Sequence, residues 1–337
     1  MKITSEYFES PVKNEWLESS FLNRFISLVD IVYSQDVLYV PKNYFAFKAE
    51  LLRPEWLPFQ RSFLNEGCRF TARIQKEGGK SIGMISHFEA VDSIQYSNAL
   101  FRDGISWLRS NGCKKIIGPI DGDTWHSYRL NLGPYEKSPF ILEPYNPAYY
   151  EALWKDAGFR TIEEYSSKFV PDINRVKDSY SDSFQDFIKD GYTFRPLELK
   201  NFKKEIEILY TLTVSIFNQN KFYSEISLDE YVALYEKLST IIKEDDIQFV
   251  LASNKKEVGF LFTLSQLNVL NLKTMGVLGE YRKKGMAKAL IYQAYDIASN
   301  KGICSANMCL MHKDNPSQKL DASTGVTFRN YALFEYV

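Results

Sequence analysis

The stretch that most constrains this 337-residue chain is Thr274–Lys288, TMGVLGEYRKKGMAK. An apolar, strand-like run (Val269, Leu270, Leu272, Met275, Val277, Leu278) stops at Gly279-Glu280. A short basic turn containing Gly285 follows. Ala287, Leu290, Ile291, Ala294, Ile297 and Ala298 then recur at the spacing of one helix face, and Lys301-Gly302 supplies a basic last turn and a glycine stop. Strand, basic glycine turn and helix in this order make a seat for an anion. The first N–H groups of a helix lack intrahelical acceptors, and the helix dipole adds positive potential at the same end. Gly285 and Ala287 are small enough for a diphosphate to approach the backbone, and Arg282, Lys283 and Lys284 add charge. The same shape also fits a plain basic loop. Neither of the common nucleotide loops, GxxxxGK[ST] or GxGxxG, follows this strand.

The string VLGEYRKKGMAKAL resembles motif A of the GNAT superfamily of acyl-CoA N-acyltransferases, Arg/Gln-x-x-Gly-x-Gly/Ala. Arg282, Gly285 and Ala287 fill the fixed positions, Glu280-Tyr281 precede them, and Gly279 stands where the family often has Pro. The resemblance implies that backbone N–H groups from Arg282 to Ala287 hold the pyrophosphate of acetyl-CoA. Gly276, Val277, Leu278, Lys283, Lys284, Met286 and Lys288 complete that expected set, and an N–H near Val277 would donate to the developing oxyanion.

Length alone predicts two domains. A net charge of −1 gives no global field for nucleic acid or an anionic membrane. Four scattered cysteines (Cys68, Cys113, Cys304, Cys309) without a CxxC argue against zinc or a redox pair and fit reduced, buried thiols. The N-terminus shows no apolar signal region, and no run of about 18 apolar residues is present. The expectation is a cytoplasmic protein, monomer or homodimer, with no metal, no nucleic acid and no membrane partner.

In the first half, Phe70–Glu89 reads as a hairpin turning at Gly78-Gly79. Asp92–Gly112 reads as a helix, Cys113–Ile120 as a strand, and Tyr145–Phe159 as a helix opened by Asn146-Pro147. NPAYYEALWKDAGF resembles GNAT motif B, yet the strand before Asp92 runs into its helix through AVDSIQY, with no glycine and no base. This half is expected to keep the fold without binding coenzyme A. The stretches FISLVDIVYSQDVLYVPKNYFAFKAELL and GPIDGDTWHSYRLNLGPYEKSPFILEPYNPAYYEALWKDAGF also resemble the N-terminal half of a bacterial group of GNAT-like proteins. Within the second stretch Trp125, His126 and Tyr128 form a polar-aromatic loop. It reads either as a wall of an acceptor pocket, with His126 as a proton acceptor, or as a surface loop over a sheet edge.

Pro171–Ser183 is polar and reads as a linker. Strands and helices from Gly191 onward follow the complete GNAT order, β-α-α-β-β-β-α-β-α-β. The expected organisation is a degenerate GNAT-like domain over 1–170, a linker over 171–190 and a GNAT domain over 191–337, an α/β fold with mixed sheets. By the resemblance, Asn315 matches the asparagine that opens the family's fourth helix and touches the cofactor, and Asn315-Pro316 repeats Asn146-Pro147. The family's tyrosine acid is missing, because Ala322 and Ser323 occupy its place. Glu225, Asp229, Glu230 and His312 are candidate bases, with Glu225 and His312 carried forward as catalytic and Tyr223 as an acceptor contact. The favoured function is acetyl or acyl transfer from acetyl-CoA to a primary amine of a small molecule or peptide. The alternatives are a non-catalytic coenzyme A sensor and aminoacyl transfer from charged tRNA, as in tandem GNAT-like Fem enzymes.

Overall fold

The computed structural model describes residues 3–8, 20–41, 43–53, 55–283, 285–320 and 325–337. The chain divides into two compact units. The first comprises Met1–Pro139, Glu143–Glu164 and Tyr331–Val337; the second comprises Phe140–Leu142 and Tyr165–Asn330.

The first unit contains β1 (Glu6–Phe8), α1 (Ser20–Val32), α2 (Tyr44–Leu51), β2 (Gln60–Leu64), β3 (Cys68–Glu77), β4 (Lys80–Ala90), α3 (Ile94–Ser110), β5 (Lys115–Gly118), β6 (Leu130–Asn131), α4 (Tyr150–Asp156) and the start of β7 (Phe159–Val170). Its sheet runs β1-β2-β3-β4-β5 and is then joined by the end of the last strand of the chain. The pairs are antiparallel except β4 with β5, which α3 connects. The β3–β4 hairpin turns at Gly78-Gly79, at φ +54° and +78°, where glycine alone is unstrained. The core is aromatic. Trp154 of α4 meets Phe88, Phe101, Phe159 and Phe334 at centroid distances of 5.3, 5.1, 4.7 and 5.9 Å.

The second unit continues from β7 with α5 (Ile173–Ser179), α6 (Ser181–Lys189), β8 (Thr193–Pro196), α7 (Phe202–Phe217), α8 (Leu228–Glu236), β9 (Ile247–Leu251), β10 (Glu257–Gln266), β11 (Val269–Val277), α9 (Met286–Asn300), β12 (Ser305–His312) and β13 (Val326–Tyr336). Its sheet order is β8-β9-β10-β11-β12-β7, again antiparallel except for one pair, β11 with β12, which α9 connects.

Four readings of the sequence are corrected. The expected linker forms two helices, because Ile173, Val176, Tyr180 and Phe187 are buried beneath its polar residues. Asn146 does not open a helix: its amide holds Asn131, accepting the N–H at 2.8 Å and donating to the carbonyl at 3.1 Å, and α4 starts only at Tyr150. After Asn315 the described residues form a 3₁₀ turn, Pro316–Lys319, in place of the fourth helix. The end of β13 joins the first unit, with Phe334 opposite Gly118 and Tyr331 opposite Asn131. Among the described residues, no helix is long and apolar enough to cross a membrane.

Trp154 has no exposed surface. Trp154→Ala should destabilise the first unit by about 3–5 kcal/mol through lost burial and a residual cavity, measured as a lowered urea midpoint.

Candidate functional site

The centre of the second unit is a fork in its sheet. Strands β11 and β12 pair from Val269–Ser305 to Leu272–Met308. Beyond that, β12 pairs with β7 at Met311–Ser166 and His312–Tyr165, while β11 stays with β10 as far as Val277. Among the described residues, the edge of β11 from Thr274 to Val277 makes no ladder pair on the β12 side. Lys273 is also the extra residue of a bulge, since Thr274 lies opposite Phe262 and Leu272 opposite Thr263. Bulges sharpen local twist, which suits a residue standing where two strands part.

The basic turn closes the open end of β11. The Leu278 N–H donates to Val258 O at 2.8 Å, and Arg282 Nε donates back to Val277 O at 2.8 Å. Gly285 sits at φ +87°, a left-handed conformation that costs any L side chain about 1–2 kcal/mol. It precedes α9 without a side-chain cap. Among the described residues the α9 ladder starts with Ala289 N–H to Gly285 O, so Met286, Ala287 and Lys288 make up its first turn. Beside them lies a cavity of about 500 Å³ whose lining includes Ser183, Phe187, Tyr192, Lys283, Gly285 and Lys288. Lys283 pairs with Asp190 at 3.1 Å, a carboxylate that raises its pKa, and the Lys288 ammonium lies 5.2 Å from the Tyr180 ring. Val277 and Met286 are buried and anchor the strand and helix ends, whereas Ala287 is exposed. Gly276 has no room for a side chain: a Cβ there would lie 2.7 Å from Ile216 Cγ2 at the end of α7. Lys284 falls outside the described residues.

No known family profile matches this sequence. The chain is similar to Protein YghO of Escherichia coli K12, 21% identical over 212 residues, covering 59% of this chain and 52% of that protein. It is similar to the bacterial ceramide synthase of Caulobacter vibrioides, 20% identical over 243 residues, covering 68% of this chain and 63% of that enzyme. The chain thus spans less than two thirds of the length of either curated relative. Among solved structures, a GCN5-related N-acetyltransferase from Sphaerobacter thermophilus matches 98% of this chain and 95% of its own, at TM-score 0.51 and 9% identity. A tandem GNAT protein from the clavulanic acid biosynthesis pathway matches 98% of both chains at TM-score 0.53 and 9% identity.

The protein has the tandem GNAT fold. The two GNAT units differ at equivalent places. In the first, Ser93 caps α3 by accepting from the Tyr96 N–H at 3.5 Å, so its own side chain takes the place of an anion. Its β4–β5 ladder runs to Met84–Ile117, and beyond it the Ile120 N–H still donates to Ile85 O at 2.9 Å. The Tyr150 hydroxyl accepts from Ala90 N at 2.9 Å, the Tyr149 hydroxyl donates to Ala90 O at 2.8 Å, and Trp154 lies against Gly118. Burial and the Glu89 carboxylate push the Tyr150 phenol well above its ordinary pKa.

The loop before β6 holds a buried polar network that the sequence did not reveal. His126 Nδ1 is 2.7 Å from Asp123 Oδ1, and its Nε2 is 2.8 Å from Arg53 Nη2. A guanidinium only donates, so Nε2 accepts and the ring proton lies on Nδ1. That lone pair is engaged, which argues against His126 as a proton acceptor. Trp125 donates its N–H to Asp123 Oδ1 at 2.8 Å, and Tyr128 stacks under Arg129 at 3.9 Å. Glu50, His87 and Asp121 bring ligand atoms within 4.8 Å of one another. Arg73, whose pKa burial lowers to about 10, carries its charge beside Asp121, so those carboxylates already face a cation.

The expected catalytic residues lie on separate elements of the second unit. His312 ends β12 and accepts the Asp314 N–H on Nδ1 at 3.1 Å, which leaves its proton on Nε2. Glu225 is exposed in the loop from α7 to α8, beside Tyr223, whose phenol burial pushes up. Trp125, His126 and Tyr128 belong to the first unit and Tyr223 to the second. Asn315 accepts the Ser317 N–H at 2.9 Å and caps the 3₁₀ turn. Ala322 and Ser323 lie outside the described residues. Tyr331 and Tyr336, the next tyrosines along, belong to the first unit, where the Tyr331 hydroxyl donates to Glu143.

A Cβ added at Gly285 would meet nothing closer than Ser183 Oγ at 3.5 Å. Gly285→Ala should therefore cost about 1–2 kcal/mol from backbone strain alone, visible as a lowered urea midpoint without loss of helix content in circular dichroism.

Proposed function

We propose that the second unit binds an acyl-CoA and transfers its acyl group to a primary amine, with acetyl-CoA the simplest donor. The observation that carries this reading is the uncapped start of α9 behind left-handed Gly285, joined to an unpaired β11 edge. Amides of Ala287 and Lys288, with Arg282, Lys283 and Lys288 nearby, suit a diphosphate. The exposed backbone groups of β11 suit an extended amide-bearing arm. When bound, acyl-CoA would supply the thioester carbonyl.

Aminolysis forms the C–N bond, breaks the C–S bond and moves one proton from the ammonium-like nitrogen to the departing sulfur. What the chain must provide is position, a donor to the developing oxyanion and a path for that proton. A β11 N–H near Val277 is assigned the oxyanion. Glu225, a carboxylate exposed on the loop from α7 to α8, is assigned the amine's proton. His312, with its proton on Nε2, is better placed to donate to sulfur than to accept from nitrogen. The first unit is assigned no coenzyme A, because Ser93, Tyr149 and Tyr150 already satisfy its helix start and strand edge.

Two further facts bear on the reaction. The ceramide synthase similar to this chain carries the name of an enzyme whose product is an amide, which fits an amine acceptor. The absence of tyrosine at positions 322 and 323 favours a second reading, a protein that binds coenzyme A without turning it over. We assign the protein to the cytoplasm, where acyl-CoA is made.

Calorimetric titration with coenzyme A should show one site per chain, and Gly285→Glu should abolish it by placing a carboxylate at the diphosphate seat. Unchanged affinity in that variant would mean the turn holds no phosphate. Thiol release from acetyl-CoA with a panel of primary amines then separates the enzyme from the sensor: binding without release supports the sensor.

A further inference from the structure

The helices α5 and α6 stand before β8, outside the order of strands and helices expected from Gly191 onward. Both are fixed to α9. Lys177 of α5 pairs with Asp296 at 3.2 Å, and the Ser299 hydroxyl donates to Asn174 Oδ1 at 2.7 Å. In α6, Phe184 stacks on Tyr292 at 4.3 Å, and buried Phe187 packs with Ala289 and Leu290. A helix anchored on two aromatic rings holds its polar side chains in place. Ser183 Oγ lies 3.5 Å from where a Cβ on Gly285 would stand, so α6 flanks the turn that opens α9.

The cavity of about 500 Å³ is lined by α6, the residues that follow it, and the start of α9. That size suits a small organic group. Its charged lining consists of Asp186, Asp190, Lys283 and Lys288, two carboxylates and two ammoniums. Lys283 is paired with Asp190 at 3.1 Å. Lys189, outside the lining, is 3.8 Å from Asp186 and adds no free cation. That leaves Lys288, beside the Tyr180 ring, for a bound anion.

Coenzyme A carries two substituents on its diphosphate. The arm follows β11 in the reading above, so the adenosine falls to the α6 side of the turn. Ribose hydroxyls and the adenine amino group donate hydrogen bonds, and an ionised carboxylate only accepts them. A 3′-phosphate also only accepts, and its charge has the sign of Asp186 and Asp190. Lys288 and the first-turn amides of α9 are already taken by the diphosphate. We propose that this cavity holds the donor's adenosine through Asp186 and Asp190, and that the site takes 3′-dephospho-coenzyme A thioesters as readily as coenzyme A thioesters. The proposal rests on the coenzyme A seat described above.

Calorimetry tests this without an acceptor. Dephospho-coenzyme A should bind within about threefold of coenzyme A. ADP should displace it at least about tenfold better than inorganic pyrophosphate, which lacks the adenosine. Asp186→Lys puts a cation in place of a carboxylate on the exposed face of α6. It should shift the preference toward coenzyme A by about three- to tenfold. Asp186→Asn keeps the shape of the side chain, should shift the preference the same way by less, and guards against a folding defect in the first variant. Three results overturn the inference while the seat stands: coenzyme A binding tenfold or more tighter than dephospho-coenzyme A in the wild type, ADP no better than pyrophosphate, or a preference unmoved in both variants. No binding of coenzyme A itself overturns the seat and this inference together.

Discussion

Everything in the second unit turns on the parting of β11 from β12 after Leu272 and Met308. Parallel strands joined by a helix usually stay paired, because each unpaired backbone group away from water carries a penalty of about 1–3 kcal/mol. Here β12 keeps β7 on its other side as far as His312, while β11 carries the Lys273 bulge where its ladder with β12 ends. The result is a strand edge with donors and acceptors to offer, ending beneath a helix start with amides to offer.

The first unit shows what the scaffold does when that request is met from inside. Its β4–β5 fork has the same connection through a helix, yet Tyr149 and Tyr150 saturate Ala90, Ser93 caps α3, and Trp154 packs into the aromatic core. The backbone groups must be satisfied in either case. The first unit satisfies Ala90 and its α3 start with its own side chains, whereas in the second Arg282 reaches the Val277 carbonyl and no side chain caps α9. A duplicated fold can thus keep its strand order while one copy becomes a closed core, and the difference lies in a handful of side chains near each fork.

Much of this was legible in the sequence because it depends on local chemistry. The hairpin at Gly78-Gly79, the periodic faces of α3, α7 and α9, and the glycine turn at Gly285 all come from neighbouring residues, and the structure shows each of them. What was misread depends on distant partners. Polar Pro171–Ser183 looked like a linker because its buried Ile173, Val176 and Tyr180 are spread among polar and charged residues. Asn146 looked like a cap, but its amide serves Asn131. His126 looked like a base until Arg53, far away in the chain, took its lone pair.

By itself the sequence determined the run of strands and helices from β8 to β12, the repetition of one unit, and the basic glycine turn that opens α9, since spacing and backbone preference are written residue by residue. Only the tertiary structure decided where β11 and β12 part, that Tyr149 and Tyr150 satisfy Ala90, which nitrogens of His126 and His312 carry the proton, and that Phe140–Leu142 is fastened at Lys273. Those outcomes are set by which side chain reaches an unsatisfied polar group first, and reach in space is not recorded by distance along the chain.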